Sequence, residues 1–143
     1  MPPAKLLKLA VNAADIFLTV QRVAEPIVKL YNKFTGRFDN VFKSFFSTFD
    51  DLDLLDGISV TSTPGSILNI DVDLKGKTVD VFMNYISGLL GKAWIANQNN
   101  PNILGLDISN DIRLSFYPTA TSTGGPTIAV VIDGVQAIKI RLQ

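Results

Sequence analysis

The side chains that could do chemistry in this chain are mostly carboxylates. Asp50, Asp51, Asp53 and Asp56 fall within seven residues, and Asp71 and Asp73 follow in the next polar stretch. Carboxylates at that density can hold a calcium ion or share a proton as an acid/base pair. The register of a calcium-binding EF-hand loop is missing, because Leu55 occupies its third ligand position and no glutamate closes it. The run reads instead as an acidic, solvated connection ending in a turn at Gly57, with Leu52, Leu54 and Leu55 tucked against a core. Asp71 and Asp73 alternate with Ile70, Val72 and Leu74, which puts both carboxylates on the outer face of a strand. Glu25, the single glutamate, stands beside Pro26, where it is expected to cap or relieve a helix kink.

Gly76-Lys77-Thr78 has the ending of a phosphate-binding loop, but the glycine required five residues upstream is Asp71. There is no histidine and no cysteine. The commonest general base, the commonest metal ligands and all disulfides are therefore missing. Catalysis would need a carboxylate pair, a serine–lysine arrangement or a bound metal, and no nucleophile sits in a glycine elbow. The sequence predicts no enzyme, no cofactor and no metal site.

The element that has to position everything else is the stretch Lys5 to Leu52. Apolar residues recur there at steps of three and four, from Leu6, Leu9, Ala13 and Ile16 through Val20, Val23, Ile27 and Leu30 to Phe34, Phe38, Val41, Phe45 and Phe49. That is helical spacing. The helix is expected to begin near Ala4, to kink at Pro26 and to stop or bend at Thr35-Gly36. A second helix then runs from Arg37 or Asp39 to about Phe49. Six of the nine phenylalanines lie between Phe34 and Phe49, wrapping more than half of that second helix. Such a face is either the main core element under a sheet, a subunit interface or a membrane-surface contact. Val20, Ile27, Phe34, Phe38, Phe42, Phe46 and Phe49 are the candidate interface residues.

From Ile58 the apolar period changes to two. Ile58 to Thr63 and Ile67 to Leu74 read as strands joined by a turn at Pro64-Gly65-Ser66, with Asp71 and Asp73 on a wet face that argues for antiparallel pairing. Thr78 is a good N-cap, and Val79, Phe82, Ile86, Leu89, Leu90 and Ala93 predict a helix running to about Ala96. Gly88 and Gly91 within it suggest close packing on the sheet. Asn97 to Asn102 is a polar connection. Ile103 to Ser109, Ile112 to Tyr117, Thr127 to Ile132 and Val135 to Leu142 predict a four-stranded antiparallel meander, its last pair joined by Asp133-Gly134. Between its middle strands lies an uncharged loop from Thr119 to Pro126.

The fold class expected is α+β: a long N-terminal amphipathic helical arm over residues 1–56, then a body over residues 57–143. In that body a mostly antiparallel sheet of about six strands carries one packed helix, residues 78–96. With 143 residues the chain fits one domain of ordinary size. Charged residues are only 18% of it, against ~25% in typical soluble domains, while hydrophobic residues are 47%. A surface so short of charge suits a subunit covered by neighbours. Net charge is zero, which removes any overall attraction for nucleic acid. Seven basic and three acidic residues fall in residues 1–49, and two basic and seven acidic in residues 50–80. Neither a secretion signal nor a membrane-spanning run is expected.

The role expected is a structural subunit of an oligomeric assembly, with a virus or phage virion as the particle type and location. Its partners would be copies of itself and other subunits of the assembly, met through the helical arm and the uncharged loops, with no direct nucleic-acid binding. The alternative is a membrane-surface or apolar-ligand-binding protein that uses the Phe-rich helix against lipid.

Overall fold

A computed structural model of the chain describes residues 39–63, 67–119 and 125–143. The expected helix start at Ala4, the kink at Pro26, the Thr35-Gly36 stop, the Pro64-Gly65-Ser66 turn and most of the Thr119 to Pro126 loop lie outside those residues. Over the described residues the fold is α+β and mostly sheet. Two helices, α1 (Asp39–Asp51) and α2 (Val79–Leu90), accompany a sheet of seven strands. The strands are β1 (Ile58–Thr63), β2 (Ile67–Val72), β3 (Ile95–Ala96), β4 (Leu104–Asp107), β5 (Ile112–Tyr117), β6 (Thr127–Ile132) and β7 (Val135–Leu142).

Both helices end for a reason visible in their last turn. In α1 the chain turns left-handed at Asp53 (φ 59°), where Asp53 N–H donates to the Asp50 carbonyl and Leu54 N–H to the Phe49 carbonyl. This paired closure is a Schellman motif, and its usual apolar contact is supplied by Leu54 and Phe49, both fully buried. In α2, Thr78 caps the start by accepting from Val81 N–H at 3.2 Å. Gly91, at φ 66°, closes the end in the same Schellman pattern. The helix expected over 78–96 therefore stops at Leu90, and Ile95 and Ala96 become the short strand β3, one more strand than expected. The close packing expected at Gly88 is not found among the described residues, none of which stands within 4 Å of where its Cβ would be.

The sheet order is β1-β2-β7-β6-β5-β4-β3. The predicted meander forms as β4 to β7, and Asp133-Gly134 takes positive φ at both residues, which the two-residue hairpin between Ile132 and Val135 requires. The C-terminal strand then runs between β6 and β2, antiparallel to the first and parallel to the second, with Ile70 opposite Ile140. The sheet is thus mixed, with a single parallel pairing among its described strands.

One face of the sheet carries the core. Ile70 and Val72 of β2, Leu106 of β4, Leu114 and Phe116 of β5, Ile128 and Val130 of β6, and Ile138, Ile140 and Leu142 of β7 are buried on it. The two helices cover that face. Phe45, Phe46 and Phe49 of α1 meet Phe82 of α2 in one cluster, with Phe82 stacked at 5.8 Å from Phe49 and 6.3 Å from Phe45, and Phe46 edge-on to Phe49 at 5.1 Å. Residues 39–57 therefore share one core with the sheet.

Two substitutions test this packing. Phe49→Ala is expected to cost ~3–5 kcal/mol in urea unfolding, a large part of the ~5–15 kcal/mol that holds a domain together. Gly88→Ala, in an open helix interior, is expected to stabilise the protein by up to ~1 kcal/mol in the same measurement.

Candidate functional site

Of the seven candidate interface residues, Val20, Ile27, Phe34 and Phe38 lie outside the described residues, and Phe42 lies within α1. Phe46 and Phe49 are brought together, but inside the core, at 2% and 0% exposure. Substituting either one acts first on folding.

The acidic run takes up the role of a tied connection. Lys75 pairs with the Asp56 carboxylate and donates to the Asp53 carbonyl, while its own N–H is accepted by Asp73 Oδ1 at 2.9 Å. The Tyr85 hydroxyl donates to Asp51, joining the end of α1 to α2. These contacts move the titrations. The hydrogen bond to Lys75 holds the Asp56 carboxyl below its ordinary value, and the same bond raises Lys75. The hydrogen bond to Asp51 raises the Tyr85 phenol. Among the described residues no group of three or more carboxylates could hold a metal ion.

The opposite face of the sheet holds a different arrangement. Strand register sets out a row across it: Asn69, Lys139, Ala129, Ser115 and Gly105, on β2, β7, β6, β5 and β4 in turn. A second row carries Asp71, Arg141, Thr127 and Tyr117. These are small or polar side chains, in contrast to the branched apolar ones on the core face. Part of this face lines a cavity of about 480 Å³, bounded by Asn100, Asn102 and Ile103, by Tyr117, Pro118 and Thr119, and by Thr127, Ala129, Gln136 and Lys139.

The wall is stiffened by its own amides. Asn97 Oδ1 accepts from the N–H groups of Asn99 and Asn100, and Asn100 Oδ1 accepts from Asn102 N–H. The loop is closed across its base by Asn97 N–H to the Ile103 carbonyl at 2.8 Å. The floor depends on an irregularity in β7. Val130 pairs with Ile138 but Val131 pairs with Gln136, so the register skips Ala137. This bulge shifts Gln136 onto the face of Lys139, where strict alternation would have put it with Ile138 and Ile140.

Two arginines on this face are paired. Arg113 Nε lies 3.0 Å from Asp107 Oδ1, with its guanidinium against Gly105, where a Cβ would come within 3.2 Å of it. Arg141 Nη1 is 3.9 Å from Asp71 Oδ1, and the buried Nε of Arg141 has no hydrogen-bond partner among the described residues. Lys139 has no ion pair among them.

The sequence reading missed this site. Asn97 to Asn102 was legible only as a polar connection, and Gln136 had the wrong parity for the outer face. The density of asparagine in residues 97–102 was the one available signal. Compared with protein-family models, curated proteins and solved structures, the chain matches none.

A pH series tests the acidic corner. A depressed carboxyl contributes stability that is present above its unfolded value and lost as pH falls through its folded value. Stability of the native chain is expected to fall toward that of Asp56→Asn on acidification, the two curves separating again near neutral pH. A raised lysine gives the opposite slope, so the gap between Lys75→Met and the native chain should close at strongly alkaline pH, and should also narrow on acidification as Asp56 is protonated.

Proposed function

We propose that this chain is a structural subunit of an oligomeric assembly, with a virus or phage virion as the particle type, and that its partners are copies of itself and other subunits of that particle. The observation that carries this reading is the edge of the sheet at β1. Strand order leaves β1 paired only with β2 among the described residues, in unbroken one-to-one register. Its sequence, Ile58-Ser-Val-Thr-Ser-Thr63, contains no charge and no proline. Soluble proteins ordinarily blunt an edge of that length with lysine, proline or a bulge, because its open N–H and C=O groups accept another strand. An edge without any of these suits a subunit whose neighbour completes the ladder.

Two further features support the same reading. Among the described residues the core runs from Val41 to Leu142. By sequence, the helical apolar spacing from Leu6 to Leu30 supplies a further candidate contact face. Val81 and Leu89 on α2 and Ile95 on β3 are also left exposed, at 44%, 45% and 69%. The alternative, a lipid-surface or apolar-ligand binder working through the Phe-rich helix, draws little from α1, because Phe45, Phe46 and Phe49 are occupied by the core. No helix among the described residues is long and apolar enough to cross a membrane.

Sedimentation velocity at micromolar concentration is the direct test. A defined oligomer, or a species that grows with concentration, is expected; a compact monomer across the whole range would overturn the proposal. Thr61→Lys, which puts a charge on the β1 edge in register with Asn69, should shift the population toward monomer with an unchanged circular dichroism spectrum. Ile27→Asp should abolish association or folding, since an unpaired carboxylate in an apolar contact costs several kcal/mol.

A further inference from the structure

We propose that the cavity on the outer sheet face is a binding site for a polyhydroxylated ligand carrying one negative charge, of the acidic-sugar class. Its volume, about 480 Å³, falls within the ~300–1,000 Å³ of small-molecule sites. The lining differs from that of an apolar pocket. It offers carboxamides at Asn100, Asn102 and Gln136 and hydroxyls at Tyr117, Thr119 and Thr127. A carboxamide both donates and accepts, and so does a sugar hydroxyl, so each amide can meet a hydroxyl whichever way its proton points. The ring of Tyr117 adds a flat apolar surface for the C–H face of a pyranose. A hydrocarbon chain would leave these polar groups without partners, at a cost it could not recover.

Charge selects among the hydroxylated ligands. Among the described residues no carboxylate lines the cavity, and the cation that does, Lys139, has no ion pair, whereas Arg113 and Arg141 on the same face each face an aspartate. Arg141, two residues along β7, keeps its buried Nε without a partner among the described residues. Asp71 is taken up by Arg141, so among the described residues the charge of Lys139 is left for a ligand. A sugar carboxylate supplies one negative charge. A phosphomonoester, at about −1.5 to −2, would be undercompensated. The arrangement is also built in advance of binding. Asx bonds fix the wall, and the β7 bulge turns Gln136 to the side of Lys139, so little ordering remains to be done on binding.

Saturation-transfer difference NMR on the full chain tests this in whatever oligomeric state the protein adopts, so its failure is separate from any failure of the assembly reading. The probes are sodium glucuronate, N-acetylneuraminic acid, glucose and sodium acetate. Transfer to the ring protons of at least one acidic sugar is expected. Glucose should bind roughly 10-fold more weakly or worse, as befits the loss of one charge-assisted hydrogen bond, and acetate should neither show transfer nor compete. Lys139→Met should remove the preference for the acidic sugar over glucose, and Gln136→Ala should weaken both. Arg113→Met, on the same face but outside the cavity, should leave binding unchanged. Absence of transfer from both acidic sugars, equal binding of glucose and acidic sugar to the native chain, or full competition by acetate would each overturn the proposal, as would a Lys139→Met variant that keeps the preference.

Discussion

Four phenylalanine rings govern the arrangement of this body. Phe45, Phe46 and Phe49 come from α1 and Phe82 from α2, and their mutual contacts lock two helices into one layer over the sheet. Neither helix could cover the apolar face of seven strands by itself. Rings of this size bury so much surface that each accounts for several kcal/mol, more than the salt bridges at the exposed corners can contribute. With both helices committed to one side, the other side of the sheet receives no helical cover from the described residues. Its composition follows: Ala129, Ser115, Gly105 and Thr127 where the core face has isoleucine, valine and leucine. The cavity on that side is a consequence of where the phenylalanines are.

The parallel placement of β7 beside β2 has a similar reach. It brings Lys139 opposite Asn69 and Arg141 opposite Asp71, so that the cations of the last strand meet the polar face of a strand some 70 positions earlier. The ladder even continues past the strand, with Gln143 N–H donating to the Val72 carbonyl and Leu74 N–H to that of Gln143. A pairing so distant in sequence is slow to form and strongly specified once formed, because a slip of one residue would turn Ile138, Ile140 and Leu142 out of the core.

Local chemistry made much of this fold legible. The alternation Ile70, Val72, Leu74 against Asp71 and Asp73 gave the correct inner and outer faces of β2 and the segment beyond it. Thr78 marked the start of α2, and Asp133-Gly134 marked the last hairpin, because each of those residue types has one strong local preference. Legibility ended where a choice depended on residues distant in the chain. Helical periodicity continued to Ala93, but a left-handed Gly91 ended the helix first. Two neighbouring antiparallel hairpins gave no hint that the chain's last strand would separate them. The site was least legible of all: one skipped residue, Ala137, moved Gln136 across the sheet, and no alternation rule reports a bulge.

Edge and face place different demands on this sheet, and the sequence meets them differently. A neighbour that pairs with β1 gains its hold from backbone hydrogen bonds, which are indifferent to side-chain identity; an uncharged run of β-branched residues and serine is sufficient there. Recognition on the outer face has no free backbone to use, since the ladder has consumed it on both sides of β6 and β7. Specificity on that face has to come from side chains, and those that line the cavity among the described residues include amides, hydroxyls and Lys139, which has no ion pair among them. An edge contact and a ligand on the face can therefore coexist, because β1 and the cavity floor on β6 and β7 are separated by β2. Low overall charge serves both: it spares the edge from repulsion between copies, and it leaves Lys139 conspicuous in its own surroundings.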